Sequence, residues 1–266
     1  TATISGGAIA PISGDTVTLS TAGRAGTFAN KNVGTAKAVT VTGYTISGTD
    51  AANYALVQPT GLTADITQLS LNVTGASAAS RVYDQGVAVA ISGGAIAPIS
   101  GDTVTLSTAG RAGTFANKNV GAAKAVTVTG YTISGADAAN YSLVQPAGLT
   151  ADITQLTLNV TGASAANKTY DALTAATISG GAIAPISGDT VTLSTTGRAG
   201  TFANKNVGTA KAVSVTGYTI SGTDAANYAL VQPTGLAADI TQLALNVTGA
   251  SAASRVYDQG VAVAIS

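Results

Sequence analysis

The stretch AIAPISGDTVTLS, residues 8–20, occurs again at 95–107 and at 182–194. Its starts at Ala8, Ala95 and Ala182 set a period of 87 residues, and the 266-residue chain holds three periods with five residues over. A fixed period governs every later reading, because each copy must be one structural unit. This period exceeds the roughly 20–45 residues of a solenoid coil and suits a small domain with its own core. A domain of that size buries a little over 60% of its unfolded surface, enough to fold without disulfides.

Inside the quoted stretch, TVTLS alternates: Val17 and Leu19 lie on one face, Thr16, Thr18 and Ser20 on the other. Alternation of period 2 is the signature of a half-buried strand. Working outward, KAVTVTGYTIS repeats the pattern with Val39 and Val41, and after Gly43 the parity passes to Tyr44 and Ile46, which predicts a bend at that glycine. Turns are predicted at Ser5-Gly6-Gly7, Ser13-Gly14-Asp15, Ala29–Asn32 and Pro59-Thr60-Gly61. SGTDAANY (47–54) is the one helix-like stretch, a single turn with Asp50 as its N-cap. Six to eight short strands per repeat predict an all-β fold: a tandem array of small β-sandwich-like domains forming an elongated rod.

Parity also places the boundaries. Leu62, Ala64 and Ile66 are even-numbered, whereas Leu69, Leu71 and Val73 are odd, so the inward face switches across Thr67-Gln68. The expected segments are 1–68 (a first repeat incomplete at its N-terminus), 69–155, 156–242, and the start of a fourth at 243–266. With almost no linker, the junctions should be stiff. Most differences between copies exchange Ala, Ser and Thr; SRVYDQGVAVA (80–90) diverges most, to NKTYDALTAAT (167–177). Such tolerance fits edge strands, with a specificity-setting face as the alternative.

Composition removes whole classes of chemistry. The chain has no Cys, His, Met or Trp, and all 12 acidic residues are Asp. Disulfides, thiolate or imidazole metal ligands and Ser-His-Asp catalysis are therefore excluded. Twelve basic residues balance the acidic ones, four of each per repeat, which argues against nucleic acid as a partner. Plentiful Val, Ile and Leu argue against disorder. No apolar run approaches the roughly 18 residues of a membrane helix, so no membrane insertion of this segment is expected. With neither an initiator Met nor a signal sequence, the chain reads as an interior piece of a longer one.

The remaining candidates are few. Asp15, Asp50, Asp65 and Asp84 recur in each repeat among Gly, Ser and Asn, the chemistry of turns and caps. Calcium needs several converging oxygens, and no D-x-D-x-D-G run occurs; two Asp could still meet at a junction between domains. Lys31 and Lys37 beside Asn30 and Asn32 raise an isopeptide crosslink, against which surface solvation is the simpler reading. Asn72, Asn159 and Asn246 each begin an N-x-T sequon, and Asn167 adds another; with Leu71 and Val73 inward, Asn72 faces solvent as a glycan acceptor must. Tyr44, Tyr54, Tyr83 and Phe28 read as core aromatics with hydroxyls at the rim, the alternative being sugar-stacking rings. No catalytic, cofactor or metal residue is assigned, and enzyme activity is not expected.

The run KTYDALTAATISGG (168–181), then SGDTVTLS, TFANKNVGTAKAVSVTGYTISGTDAANYAL (201–230) and ADITQ (238–242), resembles the YDG-type repeat of large filamentous-haemagglutinin-like bacterial adhesins. The likeness spans the whole unit in all three copies. The Tyr-Asp pair stands at Tyr83-Asp84, Tyr170-Asp171 and Tyr257-Asp258, with Gln85, Ala172 and Gln259 where Gly is usual. The resemblance implies an extracellular, cell-surface stalk in adhesion or biofilm, typically exported by two-partner secretion. Expected partners are the chain's other repeats, with exopolysaccharide or neighbouring adhesin chains beyond them. The alternatives are a multivalent carbohydrate-binding module and a self-assembling filament subunit.

Overall fold

A computed structural model describes residues 1–265. It is all-β; its only helical pieces are three single 3₁₀ turns, at Ala51–Asn53, Ala138–Asn140 and Ala225–Asn227. No helix among the described residues is long and apolar enough to cross a membrane. The chain forms two compact units that do not follow the repeat period. One comprises Thr1–Arg81, Val87–Asn117 and Ala122–Asp152; the other comprises Val82–Gly86, Lys118–Gly121 and the chain from Ile153 onward.

The second unit shows one repeat in full. Residues 156–242 form eleven short strands, more than the six to eight expected, because glycines and brief irregularities cut the alternating runs. Five make a sheet in the order Lys168–Thr169, Leu236–Thr241, Gly208–Thr216, Ala199–Phe202, Ala175–Ala176. Both edge strands come from the variable block 167–177, where a side chain has fewer neighbours to satisfy. Three two-stranded ladders complete the repeat. Thr161–Ala165 pairs antiparallel with Ile178–Ala182, and Thr192–Ser194 with Thr219–Ser221. The third is parallel: Leu156–Asn159 runs beside Tyr228–Val231. Alternation does not distinguish parallel from antiparallel neighbours, so sequence gave no hint of it.

Alternation does fix the core. Val213 and Val215, equivalent to Val39 and Val41, are buried with Phe202, Tyr218, Ala238, Ile240, Val160 and Ile178. Each large aliphatic or aromatic side chain so buried stabilises the fold by about 1.5–3 kcal/mol before entropy is counted. The expected bend is present: Gly217 holds φ +87 between Gly208–Thr216 and Thr219–Ser221, and a Cβ there would collide with the Gly197 carbonyl. The Gly-Gly pair differs from expectation. Ser179-Gly180-Gly181 is no turn but the middle of the strand Ile178–Ala182. Its glycines at φ +70 and +108 let the Tyr218 ring lie against the backbone, and the Tyr218 hydroxyl donates to the Gly180 carbonyl at 2.8 Å.

The long strand carries a bulge that the sequence did not announce. Register shifts between Gly208 and Lys211, where Ala210 takes φ +45 and its N–H donates to Asp239 Oδ1 at 2.7 Å. That left-handed conformation is costly for alanine, and the carboxylate acceptor offsets the cost.

In the first unit, Ala25–Phe28, Gly34–Thr42 and Thr63–Ile66 form a three-stranded sheet over Val39, Val41 and Tyr44. Further along, Ala112–Phe115 lies between Ala88–Val89 and the strand that carries Val126 and Val128. The parallel ladder recurs, with Leu69–Asn72 beside Tyr141–Val144. Leu71 and Val73 are buried as their parity demands, but Leu69 at the strand's start is half exposed.

Candidate functional site

Three near-identical copies allow one position to be compared in three surroundings. Asp15, Asp102 and Asp189 follow the same Ser-Gly dipeptide. In the first copy the Asp15 carboxylate accepts from the Tyr54 hydroxyl at 2.7 Å. In the second, Tyr141 donates to Asp102 at 2.8 Å, and the Lys31 ammonium stands 2.6 Å from the other oxygen. In the third, Tyr228 donates to Asp189 at 2.6 Å, Tyr83 at 2.9 Å, and Lys118 lies 2.9 Å away. The Asp189 side chain is 0% exposed, against 12% for Asp102.

The lysines come from the preceding copy of the repeat, 71 residues earlier in each case. Each also reaches a second aspartate: Lys31 to Asp137 at 3.1 Å, Lys118 to Asp224 at 3.2 Å. Two aspartates therefore do meet where consecutive repeats join, and the cation between them is an ammonium. This corrects the solvated reading of Lys31. It also corrects Asp50 as an N-cap: its carboxylate makes no cap bond, and instead accepts from the Thr16 N–H at 2.8 Å. The equivalent Asp137 and Asp224 serve Thr103 and Thr190 in the same way. A capping bond would turn the carboxylate toward its own short turn, whereas here it spans two segments and stays available to the lysine.

Electrostatics follow from this packing. Burial alone would raise the Asp189 carboxyl, but hydrogen bonds from Tyr228, Lys118 and Tyr83 outweigh it and hold the group at about 2. Tyr228 is pushed up to about 12 by burial and by donating to Asp189. Hydrogen bonds to Asp189 and its neighbours raise Lys118 well above the ordinary ammonium range. Lys118 lies 5.8 Å over the Tyr83 ring, which meets Tyr228 edge-on at 5.6 Å. Ammonium and carboxylate are both held ionised. An isopeptide needs a neutral amine attacking a neutral carboxyl, so the contact is an ion pair even at bonding distance.

Backbone contacts surround the charges. Val120 N–H donates to Asn227 Oδ1 at 2.9 Å, and Asn227 is the one buried polar side chain among the described residues. Val33 donates to Asn140 at the same 2.9 Å. Gln155 Nε2 donates to the carbonyls of Ala226 and Tyr228, and Gln68 to those of Ala139 and Tyr141. These Asn and Gln residues escaped sequence reasoning, since AANY looks like a local turn and the partners lie about a whole repeat away.

The other candidates divide. Asp65, Asp152 and Asp239 hold the bulge, accepting from Ala36, Ala123 and Ala210. Asp84 and Asp171 close turns onto Gly86 and Leu173. Lys37 donates to Asn30 Oδ1 at 2.7 Å. Asn72, Asn159 and Asn246 are exposed, while Asn167 accepts from the Asp239 N–H. Tyr83, Tyr131, Tyr141, Tyr218 and Tyr228 are buried, and Phe115 and Phe202 with them, as the core reading required.

Comparison with known families matches the YDG domain to residues 1–61, 67–149 and 154–235. The chain belongs to the YDG-domain family. No curated protein and no solved structure matches it. The tyrosine of the first complete YDG motif is Tyr83, the residue that reaches Asp189 of the next YDG repeat. Gln85 and Ala172, at the motif's third position, hold φ +69 and +65. The backbone thus keeps the left-handed conformation that glycine favours although the glycine is gone. Gln85 gains a contact in exchange, its Nε2 donating to the Ser187 carbonyl at 3.0 Å.

Proposed function

We propose that this chain is a stalk or fibre segment of an extracellular bacterial adhesin or biofilm-matrix protein, giving length and stiffness and doing no catalysis. The observation that carries the reading is the joint between consecutive repeats. One residue, Gln155, separates the last strand of one repeat (ending at Thr154) from the first of the next (starting at Leu156), and that residue is itself hydrogen bonded. Around it, a buried carboxylate, a lysine and two tyrosines tie side chains of both repeats together. A joint of that kind resists bending where a flexible tether would not. A neutral repeat also lets a long array gain length without accumulating charge.

The aromatics speak against the saccharide-binding alternative, because the rings that could stack on sugar are core residues. Partners on this reading are the other repeats of the same chain, with matrix polysaccharide or neighbouring adhesin chains outside it. Small-angle scattering of the wild type against a variant carrying both Asp102→Asn and Asp189→Asn tests it. The wild type should give one narrow distance distribution and the variant a broader one. Identical curves, or a collapsed wild-type particle, would refute the stiffening role.

A further inference from the structure

Two faces of the molecule are the unfilled halves of the joint just described. On the first repeat, the segment Tyr54–Val57 occupies the position of Tyr141–Val144 and Tyr228–Val231, yet forms no ladder. Val57 is 82% exposed, whereas Val144 and Val231 are 42% and 40% exposed. Beside the segment lies an open cavity of about 290 Å³ lined by Ile9, Pro11, Val17, Ile46 and Tyr54. Asp15 and Asp50 carry no lysine.

At the other end, LALNV (243–247) repeats the strands LSLNV (69–73) and LTLNV (156–160). Leu71, Val73, Leu158 and Val160 are each 4–6% exposed in their ladders. Leu245 and Val247 are 96% and 89% exposed. An open cavity of about 500 Å³ is lined there by Tyr170, Asn206, Val207, Gln242 and Leu243. Lys205, the counterpart of Lys31 and Lys118, makes no ion pair among the described residues.

We propose that copies of this chain join head to tail, Leu243–Asn246 of one adding as a parallel strand to Tyr54–Val57 of the next. The register is given twice within the chain, Leu69 opposite Tyr141 and Leu156 opposite Tyr228, and sets Leu243 opposite Tyr54. The same correspondence places Lys205 between Asp15 and Asp50, Tyr170 on Asp15, the Val207 N–H on Asn53, and Gln242 on the carbonyls of Ala52 and Tyr54. Every partner the joint needs is present, because each is a copy of a residue already making that contact. The occupant is therefore a second copy of the chain. The interface is heterologous, so it leaves one free head and one free tail and propagates into open chains. This goes beyond the stalk reading, which survives if it fails.

Sedimentation velocity from dilute to near-millimolar concentration tests the proposal. The wild type should form dimers and longer species as concentration rises. Lys205→Glu and Leu245→Asp alter side chains exposed in the single chain, so folding is preserved, and each should weaken association at least tenfold. In a mixture of ¹⁴N- and ¹⁵N-labelled wild type, zero-length carbodiimide coupling should link Lys205 to Asp15 or Asp50 between differently labelled copies. A wild type that stays monomeric throughout overturns the proposal. So does association that survives both substitutions, which would mean another occupant for the Tyr54–Val57 edge.

Discussion

Replacing aspartate by asparagine at positions 15, 102 and 189 in turn should produce a graded loss of stability, although the three residues are copies of one another. Asparagine keeps the shape and an acceptor oxygen for the tyrosine hydroxyls but gives up the charge. At Asp189 the loss is largest, since the side chain is wholly buried and faces Lys118, Tyr83 and Tyr228. The carboxyl titrates at about 2 in the fold against an ordinary value of 3.8. That difference corresponds to about 2 kcal/mol of folding stability. Mutational experience with broken buried pairs gives about 3–5 kcal/mol, and both tyrosines keep an acceptor here, so about 2 kcal/mol is the expected cost. Asp102 has one tyrosine fewer and a more exposed lysine, and should lose clearly less. Asp15 has only Tyr54 and should lose least. The sign of the pH dependence follows. The folded value is depressed, so the contribution of Asp189 is complete above about pH 4 and is lost as pH falls toward 2. Urea denaturation of the wild type and the three variants at pH 7, repeated down to pH 2, reads both effects by circular dichroism. Equal losses at the three positions, or an Asp189→Asn variant with the same acid sensitivity as wild type, would refute the reasoning.

Three further outcomes are expected. Ala172→Gly should stabilise the chain by about 0.5 kcal/mol, because relief of the left-handed strain at φ +65 exceeds the added backbone entropy; a lower urea midpoint would contradict it. Gly217→Ala should cost about 3 kcal/mol or more, combining φ +87 with a collision against the Gly197 carbonyl, and a near-neutral result would mean the bend is not as described. Intact-mass measurement should return the unmodified chain mass at Lys31 and Lys118, since both amines are held protonated; a mass short by one water per joint would show that the ion pairs had become amide bonds.

How far the sequence reaches can be judged residue by residue. The buried faces at Val39, Val41, Leu71 and Val73 were legible because alternation encodes them directly, and the edge position of 167–177 was legible because edges tolerate exchange. The bend at Gly43 showed as a change of parity. The pairing of Asp102 with Lys31, or of Asn140 with Val33, was not legible. Nothing local marks a contact 71 or 107 residues long, and identical repeats hide which copy donates to which. The parallel ladder was invisible for the same reason, as LSLN alternates alike beside either neighbour. Strain at Ala36 and Gln85 ran against residue preference and could be found only from the backbone itself.

The central claim is that the joint between YDG repeats, and no feature of a single repeat, orders the segment around each lysine. Amide hydrogen exchange by NMR in dilute solution tests this with a control inside the chain. The sequence NKNV occurs at 30–33, 117–120 and 204–207, and only the first two meet a following folded repeat. The amides of Val33 and Val120 should be strongly protected, and that of Val207 should exchange as freely as an open loop. Equal exchange at all three would contradict the account.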